Sequence, residues 1–451
     1  MKKVERRAIV CAILALVLAA GLGLFLVRYV LDGGQWVSAA FNRHLYNTEG
    51  VLMTGAVLDR DGDVLSSAEG GRRTYYDSEG VRKATLHAVG DLQGRIGTGA
   101  LNAFANRMTG WNLFQGVSGD SRDLYLTIDA RYNYEAWQAL NGRSGTVAVY
   151  NYKTGEVLCM VSSPTYDPLQ VPEDIETSDR YKGAYLNRFL SATFTPGSVY
   201  KTVTLAAALE SIPDLASRTW TCTGSTVIGG ETITCSGVHG EQHIEDAFAN
   251  SCNTAFAQIA VEAGADALAK ATEQAGLTAS YDLDGISTAK GSFDWENLSE
   301  ARLAWAGVGQ DRDLVNPCAL MVYMGAIASG GRAARPQLIL KTEGILPALP
   351  RMTRRTGTLV NASTAEQLTQ MLSNNVQKTY GTDRFPHMDL CAKSGTAEVG
   401  EGLTPHAWFA GFLKNEDAPY AFVVLVENGG SGNRTAGAIA GKVLNIIVNG
   451  Y

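Results

Sequence analysis

Among the seven cysteines of this 451-residue chain there is no Cys-x-x-Cys pair, so neither a dithiol redox motif nor a dense disulfide framework is encoded. His-Glu-x-x-His is missing, and with it the strongest helical metal signature. Basic charge is not in excess: the formal net charge is -7 although Lys2, Lys3, Arg6 and Arg7 crowd the N-terminus, which argues against a nucleic-acid partner. Gly94, Gly97 and Gly99 imitate a phosphate cradle, but their order is wrong and no Lys-Ser or Lys-Thr comes after them, so they read as a loop. Internal repeats and low-complexity linkers are lacking too. The chain does have ordinary hydrophobic content over a length that allows a large core and two or more domains.

Ala8 to Val27 is an uncharged stretch, AIVCAILALVLAAGLGLFLV, long enough to cross a bilayer as a helix and preceded by basic residues. The positive-inside rule then puts residues 1–7 in the cytoplasm and everything after Arg28 outside. Ala19 and Ala20 offer a cleaved signal peptide as the alternative, yet the apolar run continues past them, which favours an uncleaved anchor at residues 8–27.

Cys11 lies in this anchor, and Cys159, Cys318 and Cys391 sit among apolar residues as buried thiols. Cys222 and Cys235 bracket a glycine-rich, hairpin-like segment, TGSTVIGGETIT, facing an oxidising exterior, and are read as a candidate disulfide. Together with His239 and His243 they form an alternative zinc set. Neither pair has zinc-finger spacing and Gly240 weakens any helix carrying both histidines, so no metal is expected.

Residues 35–143 read as a membrane-proximal domain of short strands and loops, with a hairpin from Ala56 to Leu65 turning at Asp59, Arg60, Asp61 and Gly62 and a short helix from Leu101 to Met108. Residues 145–451 open with strands at Thr146–Tyr150 and Glu156–Val161, continue through helical patterns from Ser198 to Gly330, and end with strands at Leu390–Lys393, Trp408–Leu413 and Ala421–Glu427 and a helix over Ala436–Val448. Strands first and last with helices between imply an α/β (α+β) fold: a mixed sheet closed by distant chain segments and covered by helices.

Ser198, Val199, Tyr200 and Lys201 form a Ser-x-x-Lys tetrad behind Thr195, Pro196 and Gly197 and ahead of an apolar helix. Serine and lysine stand one helical turn apart on one face, and a buried lysine with a lowered pKa can take the hydroxyl proton. Ser287 to Lys290 spells the same pattern, so the tetrad gains weight only from two further elements downstream. Ser251, Cys252 and Asn253 interrupt a helical region as Ser-x-Asn, offering a hydroxyl for proton relay and an amide for a substrate carbonyl. Lys393, Ser394, Gly395 and Thr396 end a strand; the glycine admits a substrate backbone to the strand edge, while the lysine and hydroxyls suit a carboxylate. Lys153-Thr154-Gly155, Ser373 to Asn375 and Ser431 to Asn433 are decoys by letter. Order and context select the working set and mark an acyl-transfer site.

With these motifs, and with GAVLDRDGDVLS, LTIDARYNYEAWQAL, VYNYKTGEVLCMVSSPTYDP, ATFTPGSVYKTVT, AWAGVGQDRDLVNPCALMVYMGAIASGG and HAWFAGF around them, the chain resembles the class B penicillin-binding proteins over nearly its whole length. The resemblance implies a small N-terminal pedestal and a transpeptidase domain similar to serine β-lactamases. By position it implies Ser198 as acylated nucleophile, Lys201 as general base, Ser251 as proton relay and Asn253 as substrate amide holder. Lys393, Ser394 and Thr396 would bind the terminal carboxylate, and the backbone amides of Ser198 and Thr396 would form the oxyanion hole. Departures are mild: Ser394 replaces the commoner threonine, and Cys252 fills a variable position.

The implied reaction is ping-pong transfer from D-Ala-D-Ala stem peptides, without a cofactor and trapped by β-lactam antibiotics. The resemblance also implies a SEDS-type glycosyltransferase as membrane partner, since no glycosyltransferase region precedes the pedestal, and no C-terminal PASTA-like appendage is expected. A D,D-carboxypeptidase or β-lactamase shares the motifs, although no Glu-x-x-Leu-Asn segment is present to position a deacylating water. A penicillin sensor or inactive scaffold is the non-enzymatic alternative; seven residues ahead of the anchor and a complete motif set speak against both.

Overall fold

The computed structural model describes residues 2–37, 51–53, 55–70, 72–109, 111–112, 116–117, 122–343, 352–400 and 402–450; the stretch 38–50 of the expected membrane-proximal domain lies outside the described residues. A helix over Lys2–Val37 includes, at Lys3–Val30, a segment long and apolar enough to cross a membrane. Its side chains, among them Leu14, Leu18 and Phe25, are exposed rather than packed on the protein, as lipid-facing residues are.

The expected hairpin forms, with Val57–Leu58 antiparallel to Val64–Glu69. Asp59 shapes its turn: one carboxylate oxygen accepts the amides of Asp61 and Asp63, each at 2.9 Å, and the other accepts the amide of Ala130. The hairpin belongs to a five-stranded sheet in the order Ile339–Thr342, Leu124–Leu126, Val57–Leu58, Val64–Glu69 and Arg72–Tyr75. Val57–Leu58 runs parallel to Leu124–Leu126, and the first strand of this order comes from residues far downstream. The helix read over Leu101–Met108 divides into Ala100–Ala103 and Ala105–Met108 around the buried Phe104.

The second sheet carries the site. Its order is Leu390–Ala397, His406–Leu413, Tyr420–Val426, Gly145–Asn151 and Val157–Ser163, so the C-terminal strands close on the first strand of this region, with Val426 opposite Gly145. All its pairings are antiparallel. The mixed pairing lies in the N-terminal sheet instead, because these five strands enter as one hairpin and one meander joined side by side, and neither needs a parallel crossover.

Both faces of this sheet are covered. Val147, Val149, Phe409, Phe422 and Val424 face one cluster with Val443 and Leu444 of the last helix, Gly437–Asn449, while Ala148, Tyr150, Trp408, Ala410 and Val423 face the other. Successive residues point to opposite faces, and burial on both sides explains the continuous apolar runs. Ala136 and Leu140 of the helix Ala130–Leu140 join the first cluster, so this sheet draws in a helix that the sequence reading assigned to the membrane-proximal segment.

The opposite face packs on the helix Pro317–Ala328. Asn316 caps it by accepting the amides of Cys318 and Ala319, a bond set contributing about 1 kcal/mol, and donates to the carbonyls of Phe189, Leu190 and Ala192. Gly325 brings helix and sheet together: a Cβ there would stand 2.2 Å from the Tyr150 hydroxyl.

Candidate active site

The nucleophile candidate sits where a loop enters a helix. Gly197 has φ +55°, and a Cβ at this position would meet the Thr396 carbonyl oxygen at 2.6 Å, so only glycine fits. Its amide donates to Gly309 O at 2.9 Å, and Trp408 Nε1 holds the Thr195 carbonyl at 2.9 Å. One 3-10 turn, Gly197–Val199, then leads into the α-helix Lys201–Ser211. Ser198 is left half-buried at the surface of a cleft, while Lys201 is fully buried beneath it.

The Ser-x-Asn element is the connection between the helices Ile244–Ala249 and Asn253–Ala263. Ser251 adopts φ +54°, a left-handed conformation that is unfavourable for a serine and typical of sites where geometry is over-determined. Its hydroxyl accepts from Lys393 Nζ at 2.9 Å and lies 3.4 Å from Lys201 Nζ. Lys201 Nζ also donates to Ser251 O at 2.6 Å and Asn253 Oδ1 at 2.7 Å, and Lys393 Nζ to Ser394 O at 3.1 Å.

Neither lysine has a carboxylate ion pair among the described residues. Burial therefore pushes Lys201 down to about 7, and pushes Lys393 well below the ordinary lysine value, with the charge of Lys201 adding to the effect. Each ammonium group lies over an aromatic ring, Lys201 over Phe256 and Lys393 over Phe248, both at 5.6 Å. Rings of this kind attract a cation without neutralising it.

Lys393, Ser394, Gly395 and Thr396 lie on the strand Leu390–Ala397, which pairs only with His406–Leu413 and so forms the sheet edge among the described residues. Gly395 meets the nucleophile turn: a Cβ on it would lie 3.0 Å from Pro196 O and 3.1 Å from the Val199 amide nitrogen. Ser198, Ser251, Asn253, Ser394 and Thr396 thus line one cleft of about 250 Å³. A serine in the turn that leads into the helix of a low-pKa lysine, a hydroxyl shared between that lysine and a second one, and an open strand edge can perform acyl transfer on an extended peptide.

Sequence reasoning missed three residues here. Gln310 donates to Thr396 O at 3.0 Å and accepts the Glu398 amide at 3.2 Å, fixing the end of the edge strand. Tyr380 accepts the Ser394 amide at 2.8 Å, with its hydroxyl 3.1 Å from Ser394 Oγ. Trp305 lines the same cleft. Gln310 stood within the quoted GVGQDRD segment, whereas nothing local singles out Tyr380. The decoys have structural places: Ser287 lies in a two-stranded hairpin with Asp282–Leu283, Lys153 to Gly155 form a turn, and Ser373 to Asn375 end a helix.

Cys222 and Cys235 are free thiols, so the expected disulfide is not formed. The hairpin between them, Ser225–Ile228 with Glu231–Thr234, turns Cys235 toward Cys252 instead, with the sulfurs 3.9 Å apart. His243 faces away, against Arg218 O.

The fold and this lysine-serine-lysine arrangement define a serine acyltransferase of the penicillin-recognising type. Residues 145–449 match the penicillin-binding protein transpeptidase domain, and the chain belongs to that family, within its class B architecture. The peptidoglycan D,D-transpeptidase PbpA of Mycolicibacterium smegmatis is 28% identical over 82% of this chain and 78% of its own length. Penicillin-binding protein 3 of Bacillus subtilis is 25% identical over 89% of this chain and 62% of its own. Among solved structures, the ceftriaxone acyl-enzyme complex of penicillin-binding protein A from M. tuberculosis superposes with TM-score 0.75 at 25% identity, over 88% of this chain and 98% of that one. The D,D-transpeptidase domain of a peptidoglycan glycosyltransferase from Eggerthella lenta gives 0.76 at 26% identity, over 88% and 99%. The chain is a serine-type peptidoglycan D,D-transpeptidase.

Proposed function

We propose that Ser198 attacks the penultimate D-alanine carbonyl of a D-Ala-D-Ala stem peptide. An ester bond forms at Ser198 Oγ and the peptide bond to the terminal D-alanine breaks. Neutral Lys201 takes the Ser198 proton, and Ser251, within reach of both lysines, passes a proton to the leaving amine. The amides of Ser198 and Thr396 receive the oxyanion, Asn253 holds the substrate amide, and Lys393 with Ser394 and Thr396 binds the terminal carboxylate. An amine from a neighbouring stem peptide then attacks the ester and releases Ser198, its proton returning through the same groups.

The observation that carries this reading is the shared Ser251 hydroxyl between two buried lysines beside Ser198. The arriving carboxylate supplies the counter-charge that burial denies Lys393. The acyl group goes to an amine rather than to water: a chromatographic assay on purified protein with stem-peptide substrates is expected to yield cross-linked dimer, and trimmed monomer alone would instead mark a carboxypeptidase. β-lactams enter the same cleft and acylate Ser198.

The N-terminal helix anchors the chain with residues 1–7 in the cytoplasm and the cleft outside, supported by Lys2, Lys3, Arg6 and Arg7 ahead of the apolar segment. A SEDS-type glycosyltransferase is the proposed membrane partner, contacted through the anchor and pedestal. Co-purification of the two from membranes, lost when the anchor helix is exchanged for an unrelated one, tests that assignment.

A further inference from the structure

Cys222, Cys235, His239 and Cys252 come together beside the cleft, each offering one ligand atom, and these four atoms all lie within 4.8 Å of one another. They arrive from separate elements. Cys222 ends the strand Thr219–Cys222, Cys235 comes directly after Glu231–Thr234, His239 precedes Gly240–His243, and Cys252 caps the helix Asn253–Ala263. Pairing of Gly240 with Cys222 fixes the first and third of these to each other.

The distances discriminate between bonding modes. A disulfide needs its sulfurs about 2 Å apart. With Zn–S near 2.3 Å and Zn–N near 2.0–2.1 Å, two thiolates on one tetrahedral zinc stand about 3.8 Å apart, and a thiolate and an imidazole nitrogen about 3.6 Å. Here Cys235 Sγ lies 3.9 Å from Cys252 Sγ and 3.6 Å from His239 Nδ1. The Asn253 amide points at Cys235 Sγ at 3.3 Å, as backbone amides do toward metal-bound thiolates.

We propose that these residues form a Cys3His zinc site that positions the Ser251–Asn253 turn. Three thiolates and a neutral imidazole favour zinc over hard cations such as magnesium or calcium. Binding displaces three thiol protons and leaves the metal and its ligands with one net negative charge. Cys252 is the middle residue of Ser-x-Asn, so a metal on its sulfur fixes the residue between Ser251 and Asn253, and through them the contacts of Lys201. Cys235 is held on the other side of the same metal, which ties the hairpin forming the cleft wall to the catalytic turn. Ser251 and Asn253 keep the roles assigned under the proposed function, on which the positioning effect rests; the metal acts on their placement.

The test uses the full chain purified in detergent. Elemental analysis is expected to find one zinc per chain, retained by Cys11→Ser, whose sulfur lies in the anchor, and lost in Cys235→Ser and His239→Ala. Cobalt substitution should give the intense visible bands of a tetrahedral thiolate site. Absence of bound metal, or mass spectrometry showing a disulfide among Cys222, Cys235 and Cys252, would overturn the site. Stripping zinc from the wild-type chain with a chelator should slow acylation by a fluorescent penicillin about tenfold, with recovery on adding zinc back. Unchanged acylation after verified removal would overturn the positioning role. A chain that binds zinc yet is not acylated at Ser198 would refute the proposed function and leave the site standing.

Discussion

Lys393 Nζ lies 2.9 Å from Ser251 Oγ, across a chain separation of 142 residues. The bond joins the sheet edge to the inter-helix turn and brings the second lysine onto a hydroxyl already within 3.4 Å of Lys201. Replacing Ser251 by alanine removes the shared group while leaving the buried faces of both helices, Ala247 and Phe248 on one and Ala255 and Phe256 on the other, in place. The acylation rate by penicillin is expected to fall about 100-fold or more, the range of a lost proton-transfer group, with thermal stability nearly unchanged. Stopped-flow acylation beside a melting curve checks both halves.

Lys201 sets the pH dependence. Burial lowers its pKa from 10.5 to about 7, so the neutral, proton-accepting form dominates only above that point. Acylation should therefore rise with pH through about 7 and be about tenfold slower one unit below it than on the plateau. The folded chain binds fewer protons here than the unfolded chain between about 7 and 10.5, so this group makes stability increase with pH across that window. A flat rate profile from about pH 5 to about pH 9 would contradict the base assignment.

Gly197 tolerates no side chain. Alanine there meets both a positive φ and the Thr396 carbonyl, and the expected cost is about 1–3 kcal/mol of stability together with loss of acylation. Denaturant unfolding of Gly197→Ala gives the whole cost, and alanine at the exposed Gly70, which has φ +56° but nothing within 4 Å of a Cβ, separates the backbone strain from the clash.

Tyr380→Phe removes the acceptor for the Ser394 amide and the neighbour of Ser394 Oγ. A net hydrogen bond contributes about 0.5–1.5 kcal/mol, and the unpaired amide adds to that. Carboxylate-bearing substrates should show a raised KM with kcat little altered, read from steady-state kinetics on stem-peptide analogues.

Much of this was legible in the chain. The Ser-x-x-Lys, Ser-x-Asn and Lys-Ser-Gly-Thr elements carry their spacing locally, and the strands Gly145–Asn151 and Tyr420–Val426 announce themselves by apolar runs buried on both faces. Contacts made by folding were not legible. Tyr380 reaches Ser394 from a π-helical turn, and Gln310 reaches Thr396 across 86 residues, with no periodicity to betray either. The cysteines illustrate the same limit: linear spacing suggested Cys222 with Cys235, whereas the hairpin turns Cys235 toward Cys252, whose role as the middle residue of a catalytic motif had concealed it as a ligand candidate.

Ser198 and Ser287 open the same four-residue pattern, and Ser198 is expected to be the acylated one. Incubation with a fluorescent penicillin and subsequent peptide mass mapping distinguish the two. The predicted result is one adduct on Ser198, abolished by Ser198→Ala and preserved in Ser287→Ala; labelling that survives Ser198→Ala would contradict it.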